Sequence, residues 1–417
     1  MRGFILLITL LISAPASAQD YESARVAADL RELCRTDNGE LWGVSLCGPV
    51  IVADPATRAV WASDPDPQGQ LTQSPEGWRG ALPPGVPIAN SVLEWGGARW
   101  IMLVGPLPTD AVERRVLVGH EAWHLVQAEL GFPMSNSSNA HLATARGRTL
   151  MRLEMRALAA ALRSSGNARA RAAEDALAFR RARYAEFSGA FAEEAALDRN
   201  EGLAAYTGVR LAAPAPEIYA ARTLDEHDGH DALARAYAYA TGPAYGLLLD
   251  AHSRTWRRSL GASAPADMLA STIRARTLND RELRRAAERY GGSAITAEEQ
   301  AREQQQAQRL ADIRRRFGAG ARRELPLAAM QMEFNPNQTL PVEGLGTYYE
   351  VLTIRDRWGE VRATQGAVIS TNFDRLFLAE PAPDQLSGPG WRLSLSPGFQ
   401  VVPPPSFVAP PNPIPAP

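Results

Sequence analysis

Val118-Gly119-His120-Glu121-Ala122-Trp123-His124-Leu125 sits inside a strong helical pattern. Thr109 stands where an N-cap belongs, Asp110 and Glu113 fall in the first turn, and Val112, Val116 and Leu117 begin an apolar stripe. On a helix, residues four apart share a face. The imidazoles of His120 and His124 can therefore both reach one Zn²⁺, at about 2.0–2.1 Å each. Glu121 is turned by roughly 100° from His120. Its carboxylate stands beside the ion rather than on it, placed to take a proton from an activated water and hand it to a leaving group. Zinc makes this feasible by lowering the pKa of water to about 7. Gly119 costs the helix a little.

Outward from the motif, helical patterns cover 109–317, with breaks at 131–133, 164–166, 212–216 and 242–243. The stretch 298–316 is highly charged and reads as a solvated connector. Upstream, 19–108 reads as a small β-rich region behind one short helix at 24–33. Its strands fall at 44–53, 59–63, 91–95 and 99–104, with Gly96-Gly97 as a hairpin turn between the last two. The stretch 69–87, rich in Gly, Pro and polar residues, reads as a loop. Downstream, strand-like segments at 347–354, 360–370, 375–379 and 391–395, with a turn at Asp356-Arg357-Trp358-Gly359, predict a separate C-terminal β domain over 321–403. A proline-rich tail follows at 404–417. The expected class is α+β, with a helical domain over 109–320 between two β-rich regions.

The amino terminus predicts export. Met1-Arg2 is a short positive start, 4–12 is an apolar run broken only by Thr9, and Ala16-Ser17-Ala18 is an A-x-A cleavage site. This pattern reads as a secretory signal peptide over 1–18, cut after Ala18, and predicts a secreted or periplasmic protein. The run is too short to span a bilayer, which needs about 20 apolar residues, so no membrane span is expected after cleavage. In an oxidising compartment Cys34 and Cys47, the two cysteines of the chain, are expected to form one disulfide closing a small loop. Formal net charge is −2, which gives no electrostatic case for nucleic acid. All 44 basic residues are arginine. Without lysine there can be neither a Walker-type phosphate loop nor a lysine Schiff base.

A zinc hydrolase needs a third protein ligand and leaves the fourth position to water. Gln127 and Leu130 occupy the places of the Gly and His in HExxHxxGxxH, so that solution fails. Glu129 belongs to the motif's own helix and faces away. Glu201, Glu154 and Glu194 remain as candidates.

Asn200-Glu201-Gly202-Leu203-Ala204 resembles the NEGxA segment of the gluzincin metallopeptidases, which include the zinc aminopeptidases. The resemblance covers roughly 100–260. It implies a zincin-like catalytic domain in which His120, His124 and Glu201 hold the zinc and Glu121 is the general base. The interval from His124 to Glu201, 76 residues, is longer than the family's, and an inserted helical pair over 147–187 accounts for it. Gly202 after the glutamate suggests close backbone packing. The tyrosine-containing helix that follows NEGxA in this group is matched by Tyr237-Ala238-Tyr239, which makes Tyr239, ahead of Tyr245, the expected electrophile for the oxyanion. In the same group, the strand before the HExxH helix pairs with an extended peptide, a role that falls on 99–104. An internal strand without a free edge is the equal alternative.

His227 and His230, in the acidic run 225–231, are expected in a solvated loop, and His141 and His252 at the surface. The expected function is zinc-dependent hydrolysis of a peptide or protein substrate. No G-x-M-E-N pattern is present, so endopeptidase and aminopeptidase readings stand equal. The alternative is a catalytically inactive zincin-like protein of the cell envelope, against which an intact Glu121 argues. Hydrolysis of a non-peptide amide is a third reading.

Overall fold

Alternating side chains decide the N-terminal sheet. In the computed structural model, which describes residues 18–400 apart from 136, 320–321 and 336–337, a helix α1 (Ala18–Asp37) precedes six strands: β1 (Val50–Ala53), β2 (Ala59–Ala62), β3 (Thr72–Ser74), β4 (Gly77–Ala81), β5 (Ser91–Trp95) and β6 (Ala98–Val104). The expected signal peptide, except Ala18, and the proline-rich tail lie outside the described residues. The sheet order is β3-β4-β2-β1-β6-β5, with β1 and β6 parallel and the other pairs antiparallel. Val50, Val52, Ile101 and Leu103 point into the helical core, while Ile51, Ala53, Trp100 and Met102 fill a second core on the other face. This is the period-two division a sheet buried on both faces requires. The stretch 69–87, expected as a loop, contains β3 and β4. Strand β3 is the edge strand and β4 its neighbour, and neither buries a residue fully, so they carry no apolar alternation to betray them.

The helices follow in order: α2 (Ala111–Val126), α3 (Ala145–Leu162), α4 (Gly166–Glu186), α5 (Ala190–Leu197), a π turn (Asp198–Gly202), α6 (Leu203–Ala212), α7 (Pro216–His227), α8 (Leu233–Asp250), α9 (Pro265–Thr272), α10 (Asp280–Arg289) and α11 (Gly292–Ile313). Helices α3 and α4 pack on one another and fill the long interval between His124 and Glu201. The break expected at 242–243 is absent, and α8 runs through it. Proline there removes one helical N–H and crowds the preceding turn, yet the helix continues past it, and Gly242 has a packing purpose described below.

The chain divides into two units at 300/301, inside α11, whereas composition placed the boundary at 320/321. The helix serves both units. Glu299 is buried and bonds Arg148 and Arg152 of the first unit, so the expected solvated connector is anchored at this point. Ile313 and, beyond the helix, Phe317 belong to a core of the second unit with Val342 and Phe377.

The second unit holds two antiparallel five-stranded sheets. One contains β7 (Arg322–Pro326), β9 (Thr339–Val342), β10 (Gly346–Tyr349), β13 (Ala367–Ile369) and β14 (Arg375–Ala379). The other contains β8 (Gln331–Phe334), β11 (Leu352–Asp356), β12 (Gly359–Ala363), β15 (Ser387–Gly388) and β16 (Trp391–Leu395). Their inner faces share one core, with Ile369 and Leu378 from the first and Ile354, Val361 and Trp391 from the second. The single strands expected over 347–354 and 360–370 each split in two, one half in each sheet.

Candidate metal centre

Helix α2 begins one residue later than its apolar pattern suggests. Asp110, not Thr109, is the N-cap, and its carboxylate accepts from the N–H groups of Val112 and Glu113 at 2.9 Å each. The carboxylate is the stronger acceptor and also favours the positive end of the helix.

Two glycine pairs bring together the segments that carry His120, His124 and Glu201. Gly119 of α2 faces Gly208 of α6 so closely that a Cβ on Gly208 would lie 2.2 Å from the Val116 carbonyl oxygen. Gly202, closing the π turn, faces Gly242 of α8, where a Cβ on Gly242 would lie 2.3 Å from the Gly202 Cα. No side chain fits between these backbones. The segment 198–212 is thereby held between α2 and α8, and its wide π turn delivers Glu201 to the face of His120 and His124. Single π turns inside helices recur at functional sites.

The three side chains form a small triangle. The Nε2 atoms of His120 and His124 are 3.1 Å apart, and Glu201 Oε2 lies 3.3 Å from the first and 3.6 Å from the second. Among the described residues this is the one cluster of three such groups able to hold a metal ion. Tetrahedral ligands at about 2.0–2.1 Å from zinc stand about 3.3 Å from one another, so the triangle has the size of one face of such a site.

A chain of amides supports the triangle. His124 Nδ1 is 2.7 Å from Gln127 Oε1, Gln127 Nε2 donates to Asn200 Oδ1 at 2.8 Å, and Asn200 Nδ2 donates to Glu201 Oε1 at 3.0 Å. With Gln127 Oε1 accepting, Nδ1 carries the proton and Nε2 keeps its lone pair for the centre. Neither amide was singled out from the sequence. The available signals were the spacing of Gln127, three residues after His124, and the place of Asn200 beside Glu201.

Charge at the site follows burial. Burial would raise the Glu201 carboxyl, but His120 and His124 hold it far below the usual carboxylate range. Burial lowers His124, and its hydrogen bond to Glu201 together with the Glu121 charge more than reverses this, so its pKa is raised. Glu121 is buried, with Oε1 3.9 Å from His120 Nε2 and Oε2 without a hydrogen-bond partner. Burial pushes its carboxyl up, opposed by the two histidines. Tyr239 lays its ring parallel to that of His120, with centroids 5.4 Å apart, and its hydroxyl bonds Glu201. Tyr239 is 40% exposed, and the desolvation of its inner side and then the Glu201 charge shift this phenol upward, so it keeps its proton.

The competing residues lie elsewhere. Glu154 is fully buried rather than on a solvated face, and accepts from Arg180, Arg183 and Tyr245. Glu194 accepts from Arg183 and bonds His141, so the His141 side chain is buried, contrary to expectation. Tyr245 is thereby committed to this ionic core. Glu129 is exposed in the turn after α2. His252 is exposed, as expected.

The triangle opens into a cleft of about 910 Å³. Its walls include Val116 and Leu117 from α2, Ala205 and Val209 from α6, Tyr219, Thr223 and His227 from α7, and Phe132, Pro133 and Met134. His227 is therefore on a cleft-lining helix, and Asp228 beside it is held by Arg152 and Arg156. His230 and most of the acidic run are exposed, as expected, while arginines of α3 fasten the Asp228 carboxylate. Strand β6 is internal, between β1 and β5, which is the second of the two equal readings of 99–104. The edge is β5, whose Ser91, Val92 and Glu94 line the cleft.

No family model matches the chain, and comparison with the curated proteins and with the solved structures returns no match.

Proposed function

We propose that this chain is a zinc-dependent hydrolase with a zincin-like catalytic domain, exported by its signal peptide, and that it cleaves peptide bonds. The observation that carries this reading is the His120–His124–Glu201 triangle, whose edges of 3.1, 3.3 and 3.6 Å match the spacing of about 3.3 Å between tetrahedral zinc ligands. Two imidazole nitrogens and one carboxylate oxygen suit that ion, and they leave one position open, as catalytic rather than structural sites do. When bound, zinc supplies Lewis acidity and lowers the pKa of water to about 7.

The protein's own groups do the rest. Glu121 has an unpartnered oxygen and a raised pKa, which suits a base that takes the proton of the attacking water and then delivers it to the leaving amine. Tyr239 keeps its proton and offers an O–H to the oxyanion as the carbonyl becomes tetrahedral. The free edge of β5 offers main-chain N–H and C=O groups to an extended substrate along the cleft. This combination favours a peptide over other amides.

The test uses the purified full chain. Elemental analysis should find one zinc per chain in the wild type, none in His120→Ala or Glu201→Ala, and full occupancy in Glu154→Gln. A peptide-library assay should show turnover that a chelator abolishes. Absence of stoichiometric zinc, or turnover unchanged in Glu121→Gln, overturns the reading.

A further inference from the structure

Cys34, in the last turn of α1, and Cys47, just before β1, are joined by a disulfide with their Cα atoms 5.5 Å apart. The loop between them is tied to itself, with Leu41 N–H donating to Asp37 Oδ1 at 3.0 Å and Gly43 N–H to the Gly39 carbonyl at 2.9 Å. It is also tied to the body of the unit, since Arg257 Nε donates to the Leu41 carbonyl at 2.8 Å. At its tip it presents one large side chain, Trp42.

Trp42 is buried, and it touches α2, which carries His120 and His124, and α6, which continues from the π turn that carries Glu201. Its indole N–H donates to Thr207 Oγ1 of α6 at 2.9 Å, and that hydroxyl donates in turn to the Leu203 carbonyl at 2.7 Å. Its ring lies 5.8 Å from Trp123 of α2 and 6.4 Å from Tyr206 of α6. Trp123 stands between Glu121 and His124 in sequence, and its ring is 5.5 Å from the His124 imidazole. Neither Trp42 nor Trp123 lines the cleft, so this contact supports the two helices from behind. Aromatic pairs at such distances contribute beyond the area they bury.

We infer that Trp42 is a positioning residue for the His120–His124–Glu201 triangle, and that the Cys34–Cys47 disulfide sets metal affinity by holding Trp42 in place. The inference rests on the metal reading above. Cys47 is exposed while Cys34 is buried, so an attacking thiolate meets Cys47 first. A dithiol reductant supplies two electrons and two protons. The S–S bond breaks, Cys34 and Cys47 become thiols, and the reductant becomes a disulfide. The loop then loses its covalent closure, and Trp42 is left held between α2 and α6 only by the Thr207 hydrogen bond, its ring contacts and the Arg257–Leu41 tie.

The experiment is a cobalt(II) titration of the full chain, followed by visible absorption, which reports both affinity and ligand geometry. Groups that orient metal ligands typically contribute 10- to 100-fold in affinity. Trp42→Ala and the Cys34→Ser/Cys47→Ser pair should weaken cobalt binding by about that factor and alter the absorption band, with far-ultraviolet dichroism unchanged. The serine pair removes the thiols as competing ligands. Trp42→Phe, which keeps an aromatic wedge, should restore most of the affinity. Wild type reduced with a phosphine should match the serine pair, and it carries the comparison if Trp42→Ala does not fold. Unchanged affinity in the serine pair or the reduced wild type overturns the coupling alone. Failure of the oxidised wild type to bind cobalt overturns the metal reading, and the coupling with it.

Discussion

Gln127 and Asn200 join side chain to side chain, Nε2 to Oδ1 at 2.8 Å, across the gap between the two segments that carry the metal triangle. One end of this bridge orients His124 and the other orients Glu201. His124 on α2 and Glu201 on the π turn are thus fixed relative to one another by two uncharged amides.

Removing either amide should therefore weaken metal binding without unfolding the chain. Gln127→Ala and Asn200→Ala are each expected to lower zinc affinity by about 10- to 100-fold, measured by competition with a chromophoric chelator. The double variant should lose less than the product of the two, because each single change already breaks the same bridge. Fully multiplicative losses would show that the two amides act separately.

Glu121 and Tyr239 are predicted to separate in their kinetics. Glu121→Gln should keep stoichiometric zinc and lose about 10²- to 10⁴-fold in kcat. Tyr239→Phe should also keep its zinc and lower kcat, by about 10²-fold, with KM little changed, because the phenol acts on the oxyanion more than on the ground state. A Tyr239→Phe enzyme with wild-type kcat would remove Tyr239 from the mechanism.

The glycine crossing can be tested by adding one methyl group. Gly208→Ala places a Cβ 2.2 Å from the Val116 carbonyl oxygen and 3.1 Å from the His120 nitrogen. Separating α2 from α6 to make room should cost about 1–3 kcal/mol in denaturant unfolding and weaken zinc binding. Gly85→Ala, whose Cβ would meet only open space, serves as the control. Equal stability of the two variants would contradict the crossing.

Acid should act through the ionic core behind the site. Burial alone would raise the Glu194 carboxyl, but Arg183, with help from His141, holds it down to about 2, from an ordinary 4.5. A depressed carboxyl stabilises the fold above its unfolded pKa and loses that contribution as pH falls through the folded value. Unfolding free energy should therefore decline between pH 4.5 and about 2, and Glu194→Gln should flatten that decline. Asp198, raised to about 6 chiefly by burial and partly relieved by Arg180, works with the opposite sign. Its contribution is complete below its ordinary 3.8 and is lost as pH rises through 6. Asp198→Asn should therefore remove a loss of stability on the neutral side of that window.

The sequence alone determined what depends on local periodicity. The spacing of His120, Glu121 and His124 places two imidazoles on one helical face and a carboxylate beside it, because the turn of an α-helix is fixed by backbone geometry. The α+β class and the existence of strands within 44–53 and 99–104 followed from the same kind of local rule. Glu201 needed a resemblance to single it out from Glu154 and Glu194, since a carboxylate far along the chain has no local signature. The tertiary structure decided which glutamate meets the histidines, through two glycine contacts that bring backbones together at Gly119–Gly208 and Gly202–Gly242. It also decided that Glu154 and Glu194 belong to a buried arginine core, that β5 rather than β6 is the free edge, and that Trp42 stands behind the site. These facts depend on which surfaces meet. That is set by close packing between residues distant in sequence, and no window along the chain contains it.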